Sequence, residues 1–265
     1  LRDAGAGRIN VVAPYLSYSR KDRRTKPHDP VTTRYVAQLF EAVTIDTMVT
    51  VDVHNRAAFE NAFRCPTVHL SAREAFIDYL LPELGDREIT VASPDIGGVK
   101  RAELFRESLA NRLERPVGSA FMEKHRSQGE MSGSAVVGDI RNRTVLILDD
   151  LIAGGGTMQR AAEAFRDQGA EDVIAIATHA VFTDDTGEKL GRHRFSRQHL
   201  CRNRRLCSGN PALFAAMARA SRGNRRPGAR SPAWPVLWLG QADMLRPQIT
   251  MGLNEDAGLC AIRKD

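Results

Sequence analysis

The chain has 265 residues, 42% of them hydrophobic and 26% charged, with a formal net charge of +6. These proportions exclude collagen-like, low-complexity and disulfide-scaffold classes. No run of 18 apolar residues occurs, so no membrane partner is expected, and the first apolar stretch, 9–16, lacks the basic leader of a signal peptide.

The chain opens on LRDAGAGR, which reads as the last turns of a helix and its glycine stop, so a preceding N-terminal segment is expected. From residue 8 to 182, β-rich runs alternate with amphipathic helical stretches. Strands are predicted at 8–14, 47–53, 89–94, 144–150 and 173–179. Apolar residues at helical spacing predict helices over 31–42, 98–112 and 156–168, the last followed by Gly169 as a stop. That alternation is the pattern of a parallel sheet flanked by helices.

After residue 190 the pattern is lost. Residues 191–265 hold 13 Arg and one Lys against four acids, a balance of +10, while the remainder holds 24 basic and 28 acidic residues, a balance of −4. Only residues 210–219 read as a helix there, with Asn210 as N-cap and Pro211 in the first turn. Three readings stand for this tail: a disordered segment, an out-of-frame translation, or an arm that tracks nucleic acid. The last has the least support, because a basic stretch alone is weak evidence. The four cysteines, Cys65, Cys201, Cys207 and Cys260, form no CxxC pair. A zinc site built from Cys201, Cys207 and His193 or His199 has the wrong spacing. Spare thiols fit a reducing cytoplasm.

Five predicted strands of the body end in polar clusters: PYLSYSRKDRR, DVHN, SPDIGG, DDLIAGGGT and THAVFTDD. Ligands of open α/β sheets sit at the carboxyl ends of strands, so the body reads as an enzyme. The sharpest cluster follows the strand at 144–150. Asp149 and Asp150 close it, and Gly154, Gly155 and Gly156 lead through Thr157 into a helix. Glycines let backbone N–H groups approach an anion, and a helix start adds partial positive charge. The acids suit ribose hydroxyls or a magnesium complex. No Gly-Lys-Ser/Thr follows, so this is not a Walker loop. The plainer alternative is a glycine-rich turn with two solvated acids.

The loop resembles the PRPP-binding loop of the type I phosphoribosyltransferase fold. Three further stretches narrow the likeness. Residues 14–41 resemble the PRPP synthase stretch that carries an ATP-contacting triplet, here Arg20, Lys21 and Asp22. Residues 50–55, TVDVHN, resemble the strand that ends in a magnesium-binding histidine, here His54. Residues 93–102, SPDIGGVKRA, resemble a Pro-Asp-x-Gly-Gly signature whose acid, here Asp95, serves the metal. With EKHRS at 123–127, whose Lys124 and Arg126 match a Lys and an Arg on a flexible catalytic loop, the chain resembles the ribose-phosphate pyrophosphokinase (PRPP synthase) family from residue 1 to about 183.

That resemblance implies an α/β fold of tandem type I phosphoribosyltransferase-like domains, the first incomplete, with boundaries expected at 1–80 and 81–190 and the tail at 191–265. It implies transfer of pyrophosphate from Mg-ATP to ribose 5-phosphate, with Mg²⁺ as cofactor and a homo-oligomeric assembly. Asp149 and Asp150 would hold the sugar hydroxyls and Gly154–Thr157 the 5-phosphate. The loop departs from the family in Ala153 and Gly154, which stand where polar side chains are usual, and Lys21 replaces a glutamine. An inactive or regulatory homologue and a base-specific phosphoribosyltransferase are the alternatives.

Overall fold

The computed structural model describes residues 1–127, 130–181, 237–238, 251–254 and 259–262, with backbone alone for 124–127, 130–134 and the last three pieces. The chain divides into two compact units, Leu1–Ser71 with Cys207–Asp265, and Ala72–Leu206.

The first unit is built on β1 (Asn10–Ala13), α1 (Thr32–Ala42), β2 (Thr47–Val51), α2 (Arg56–Ala62) and β3 (Thr67–Leu70). Its sheet has the order β3-β2-β1-β9, where β9 is Leu237–Trp238, and every pairing is parallel. Strands buried on both faces read as continuous apolar runs rather than alternating ones, and β1 and β2 are buried throughout. Val11, Met48, Ala37 and Phe59 form the centre of the core. Phe59 meets Phe63 edge-on, with ring centres 5.4 Å apart, the geometry that aromatic quadrupoles favour.

The second unit contains α3 (Arg73–Leu84), β4 (Ile89–Ser93), α4 (Val99–Leu113), β5 (Gly118–Ser127), β6 (Glu130–Val137), β7 (Thr144–Ile152), α5 (Gly156–Asp167) and β8 (Asp172–Ala180). The sheet order is β6-β5-β4-β7-β8, parallel except for β6. Val145, Ile147, Phe165 and Val173 are wholly buried between the sheet and α5. A separate antiparallel pair joins β10 (Met251–Asn254) and β11 (Leu259–Ile262).

The five predicted strands and three predicted helices are all present, with shifts of at most two residues at the ends. Eight helices and strands were not foreseen: α2, β3, α3, β5, β6, β9, β10 and β11. β3 is four residues long and only half-buried throughout, too short to show a period. α3 carries Pro82 in its interior, a residue that argues against a helix from sequence. The predicted helix at 210–219 and the Cys201, Cys207, His193 and His199 set lie outside the described residues. Among the described residues, no helix is long and apolar enough to cross a membrane.

Gly138, between β6 and β7, has φ +115°, and a Cβ placed there would run into the Ser119 carbonyl and come within 2.8 Å of Ala120 Cα. Both neighbours are backbone and cannot swing aside. Gly138→Ala should therefore lower stability by on the order of 3 kcal/mol, since backbone strain and overpacking each cost a few kcal/mol. Gly7 has open space around it, so Gly7→Ala should stay within about 0.5 kcal/mol of the parent. Urea unfolding of both variants, followed by far-ultraviolet circular dichroism, checks the contrast.

Candidate functional site

In the second unit the chain runs from β4 outward to β5 and then back to β7 on the other side of β4. The crevice at the carboxyl ends of β4 and β7 is thus the point where strand order reverses, the place where open α/β sheets take ligands. Asp95 follows β4, and β7 carries the Asp149–Asp150 pair two residues before its end, where the glycine loop follows.

Asp95 starts a short 3-10 turn, Ile96–Gly98. Its Oδ1 accepts the Gly98 N–H at 3.1 Å, and the Ser93 hydroxyl donates to its backbone carbonyl at 2.6 Å. Gly98 is required there, because an added Cβ would lie 2.5 Å from Ser93 Oγ. The turn thus fixes the Asp95 carboxylate at the strand end.

Asp149 and Asp150 are largely withdrawn from water, with 15% and 4% of their side-chain surfaces exposed. Asp149 Oδ1 accepts the Asp150 N–H at 2.8 Å. Arg101, from the first turn of α4, brings Nη1 within 3.5 Å of Asp149 Oδ1 and 3.2 Å of Asp150 Oδ1. One guanidinium therefore faces two carboxylates. Burial above all, then the neighbouring Asp150 carboxylate, pushes the Asp149 carboxyl up to about 7, against the lowering pull of the Asp150 N–H and of Arg101. The Asp149 carboxyl therefore gives up its proton close to neutral pH, well above the range of an ordinary aspartate.

The glycine loop then enters α5. Gly155 is the N-cap, in the left-handed region at φ +73°, and no side chain caps the helix start or places an acid in its first turn. The first N–H groups of α5 face outward as anion donors. Thr157 lies in that turn, half-buried. Gly154 is exposed with nothing within 4 Å of a built Cβ.

Lys124 and Arg126, expected on a flexible loop, lie on the backbone ladder between β5 and β6. Lys124 pairs with Ser134 and Arg126 with Met131, with a bulge between His125 and Arg126. β6 supplies the pairing partner that sequence reading did not anticipate.

The first unit gathers the other candidates. Arg20 and Lys21 are exposed and Asp22 half-buried in the loop after β1. Thr33 fastens this loop to the start of α1, its hydroxyl donating to the Tyr18 carbonyl at 2.9 Å and its N–H to the Lys21 carbonyl at 3.3 Å. His54 follows β2, half-buried. The next residue, Asn55, joins the two loops: Nδ2 donates to Asp22 Oδ2 at 2.7 Å, while Oδ1 accepts the Ala58 N–H as N-cap of α2. Sequence reading missed Arg101 and Asn55 as site residues. The signal for Arg101 was chemical, since adjacent acids at a buried strand end require a cation.

Two family models match in tandem. The N-terminal domain of ribose phosphate pyrophosphokinase covers residues 1–43, and the phosphoribosyl transferase domain covers residues 68–198. The chain belongs to the ribose-phosphate pyrophosphokinase family. It is 36% identical over 190 residues to ribose-phosphate pyrophosphokinase of Clostridium perfringens, a match spanning 71% of this chain and 57% of the relative. The protein of the same name from Hyphomonas neptunium is 36% identical over 191 residues, spanning 72% and 59%. The chain thus spans under two thirds of the length of these relatives. The crystal structure of phosphoribosylpyrophosphate synthetase from Mycobacterium smegmatis superposes with a TM-score of 0.70 at 28% identity, covering 84% of this chain and 74% of that one. The pyrophosphokinase family likeness accounts for both sheets and for the phosphoribosyltransferase-type α/β fold of the second unit.

The Asp149 carboxyl gives a pH signature. Its folded value of about 7 lies above the ordinary 3.8. Its contribution to stability is therefore complete below about pH 4 and is lost as pH rises through 7. Asp149→Asn carries no such titration. The variant should gain on the parent in unfolding midpoint between pH 5 and pH 8, and chemical denaturation at four pH values in that range reads the difference. A gap that stays constant with pH refutes the raised value.

Proposed function

We propose that the chain is a ribose-phosphate diphosphokinase, which transfers the β,γ-diphosphoryl group of ATP to the anomeric hydroxyl of ribose 5-phosphate, giving PRPP and AMP for nucleotide synthesis. The observation that carries this reading is the second unit's pairing of a dyad of acids with an uncapped, glycine-led helix start at the strand-order reversal. A sugar phosphate presents the complementary chemistry, a vicinal diol beside a dianion.

In the proposed complex, Gly154, Gly155, Gly156 and Thr157 cradle the 5-phosphate through backbone N–H groups and one hydroxyl. Asp149 and Asp150 accept hydrogen bonds from the 2- and 3-hydroxyls, with Arg101 limiting their mutual repulsion. In the first unit, Arg20, Lys21 and Asp22 hold the nucleotide end of ATP, and Asn55 keeps Asp22 in place. A bond forms between the anomeric oxygen and the β-phosphorus as the hydroxyl proton passes to water or phosphate, and the bond from that phosphorus to the oxygen bridging the α-phosphate breaks, so AMP departs with the bridging oxygen. Lys124 and Arg126 neutralise the charge that grows on the transferring and departing groups. Positioning and electrostatics carry the acceleration, with no covalent enzyme intermediate.

His54 and Asp95 are the residues proposed to hold Mg²⁺. Among the described residues no three His, Cys, Asp or Glu side chains gather as a metal cage. The Asp95 carboxylate of the second unit fits an ion that keeps several waters and takes further oxygens from phosphate, and His54 of the first unit is proposed as a ligand on the family likeness. When bound, Mg²⁺ would supply a divalent charge that offsets the triphosphate.

A second reading, an inactive or regulatory homologue, draws support from one feature. Between Asp150 and Thr157 the loop holds Leu151, Ile152, Ala153 and three glycines, with no polar side chain.

AMP release from Mg-ATP, measured with and without ribose 5-phosphate beside Lys124→Ala, decides between them. The diphosphokinase reading expects release that depends on ribose 5-phosphate and falls at least about a hundredfold in the variant, the scale of losing one transition-state cation. Folded protein that releases no AMP above background overturns the activity.

A further inference from the structure

The amino ends of β1 and β2 carry two polar side chains that none of the proposed roles uses. Asn10 stands directly opposite Thr47 in the parallel ladder, so both side chains leave the sheet on the same face. Ile9, Val11, Ala13 and Met48 share a core cluster with Ala37 of α1. Side chains alternate along a strand, which places Asn10 and Thr47 on the face turned away from α1. Both are more than nine-tenths buried, with 7% and 3% of their surfaces exposed. Among the described residues, neither Asn10 Oδ1 nor Thr47 Oγ1 has a hydrogen-bond partner.

Two orphan oxygens side by side are costly. A buried polar atom without a partner has lost its hydration and recovered no bond, and such atoms are rare in folded proteins. The residues just before the pair cannot turn to help. The Ile9 N–H donates to Asp46 Oδ2 at 2.7 Å and the Asp46 N–H donates to the Ile9 carbonyl at 2.7 Å. Arg2 Nη2 holds the same Asp46 oxygen at 2.8 Å. A direct bond between the two orphans is not made either, although their strands run side by side, about 4.8 Å apart. A polar gap of that kind is where a bridging molecule sits. Asn10 Oδ1 can only accept a hydrogen bond, while the Thr47 hydroxyl can accept or donate.

We infer that Asn10 and Thr47 form a binding site for one internal water, which donates to Asn10 Oδ1 and bonds to the Thr47 hydroxyl. Buried waters bridge groups of this kind with two to four hydrogen bonds. The alignment of the strands gives the site its meaning. On the same face Val12 stands against Val49. Sliding β1 by two residues would therefore keep every apolar side chain on its own face, yet it would set Asn10 against Val49 and break the bridge. Strands that are apolar on both faces carry few such marks of register. Nothing in this site depends on the diphosphokinase reading.

The test uses the full chain and compares the parent with Thr47→Val, Asn10→Leu and the double variant N10L/T47V. Urea midpoints give one readout, and nuclear Overhauser spectra recorded at the water frequency give the other. With a shared water, each single change strands the water and the remaining oxygen, so each should lower the midpoint. The double change removes both polar groups and the need for the water, so its midpoint should lie above that of either single variant. The parent spectra should show a long-lived water contact at the Thr47 methyl group and the Asn10 side-chain amide. Without a water, each single change only removes an orphan oxygen. A midpoint raised by either single variant therefore overturns the inference. Losses that add in the double variant mark two independent side chains and overturn it too. Folded parent that shows no such water contact overturns it whatever the midpoints do, so a variant that fails to fold does not shield the claim.

Discussion

The parallel pairing of β4 with β7 is the constraint on which the second unit's site depends. Register sets Ile89 against Thr144 and Ala92 against Ile147, so the two strands reach their carboxyl ends side by side. Asp95 then leaves from one strand and Asp149 from the next. The helix that follows β4 starts beside them and points Arg101 at the carboxylates. A shift of one residue in this ladder would move one strand's side chains to the opposite face relative to its partner, and each of those side chains would lose its neighbour. The strands are among the most deeply buried segments of the unit, so burial of apolar surface, the dominant favourable term in folding, holds the register in place.

Against this frame the acids are held at an electrostatic cost. Two carboxylates removed from water repel one another and lose hydration, and one arginine answers them both. Pairs of this kind contribute little net stability, yet removing one member leaves uncompensated buried charge. The arrangement is therefore poorly suited to holding the fold and well suited to a ligand whose hydroxyls donate hydrogen bonds to carboxylates. Asp95 shows the same division of labour on a smaller scale, since its turn needs a glycine at position 98 because Ser93 Oγ occupies the space where a side chain would begin.

Much of this was legible in the sequence, for definite reasons. β7 and β8 announce themselves as apolar runs because both faces are covered, and α5 announces itself by a glycine triplet before an amphipathic stretch. The loop acids and glycines could be placed because they sit at a strand-to-helix boundary. The hairpin of β5 and β6 was not placed because small and polar residues interrupt its short apolar runs, although Ala120 and Met122 join the core and Val136 packs against it. α3 was hidden by Pro82. Arg101 was hidden by distance along the chain, since its partners lie 48 and 49 positions away and only the sheet brings them together. Asn55 was visible as a polar strand end, but the hydrogen bond to Asp22 spans 33 positions and no local pattern encodes it.

That asparagine carries a liability of a chemical kind. Its amide serves two masters with two different atoms: the oxygen receives the Ala58 N–H and the nitrogen donates to Asp22. Deamidation, the slow hydrolysis to which asparagine is prone in ageing or heated protein, replaces that nitrogen with oxygen. The cap of α2 would survive, because aspartate caps as well as asparagine does. The contact with Asp22 would become two carboxylates face to face. Storage damage at this single atom would thus leave the fold intact by every measure of helix content, and would part the loop after β1 from the loop after β2.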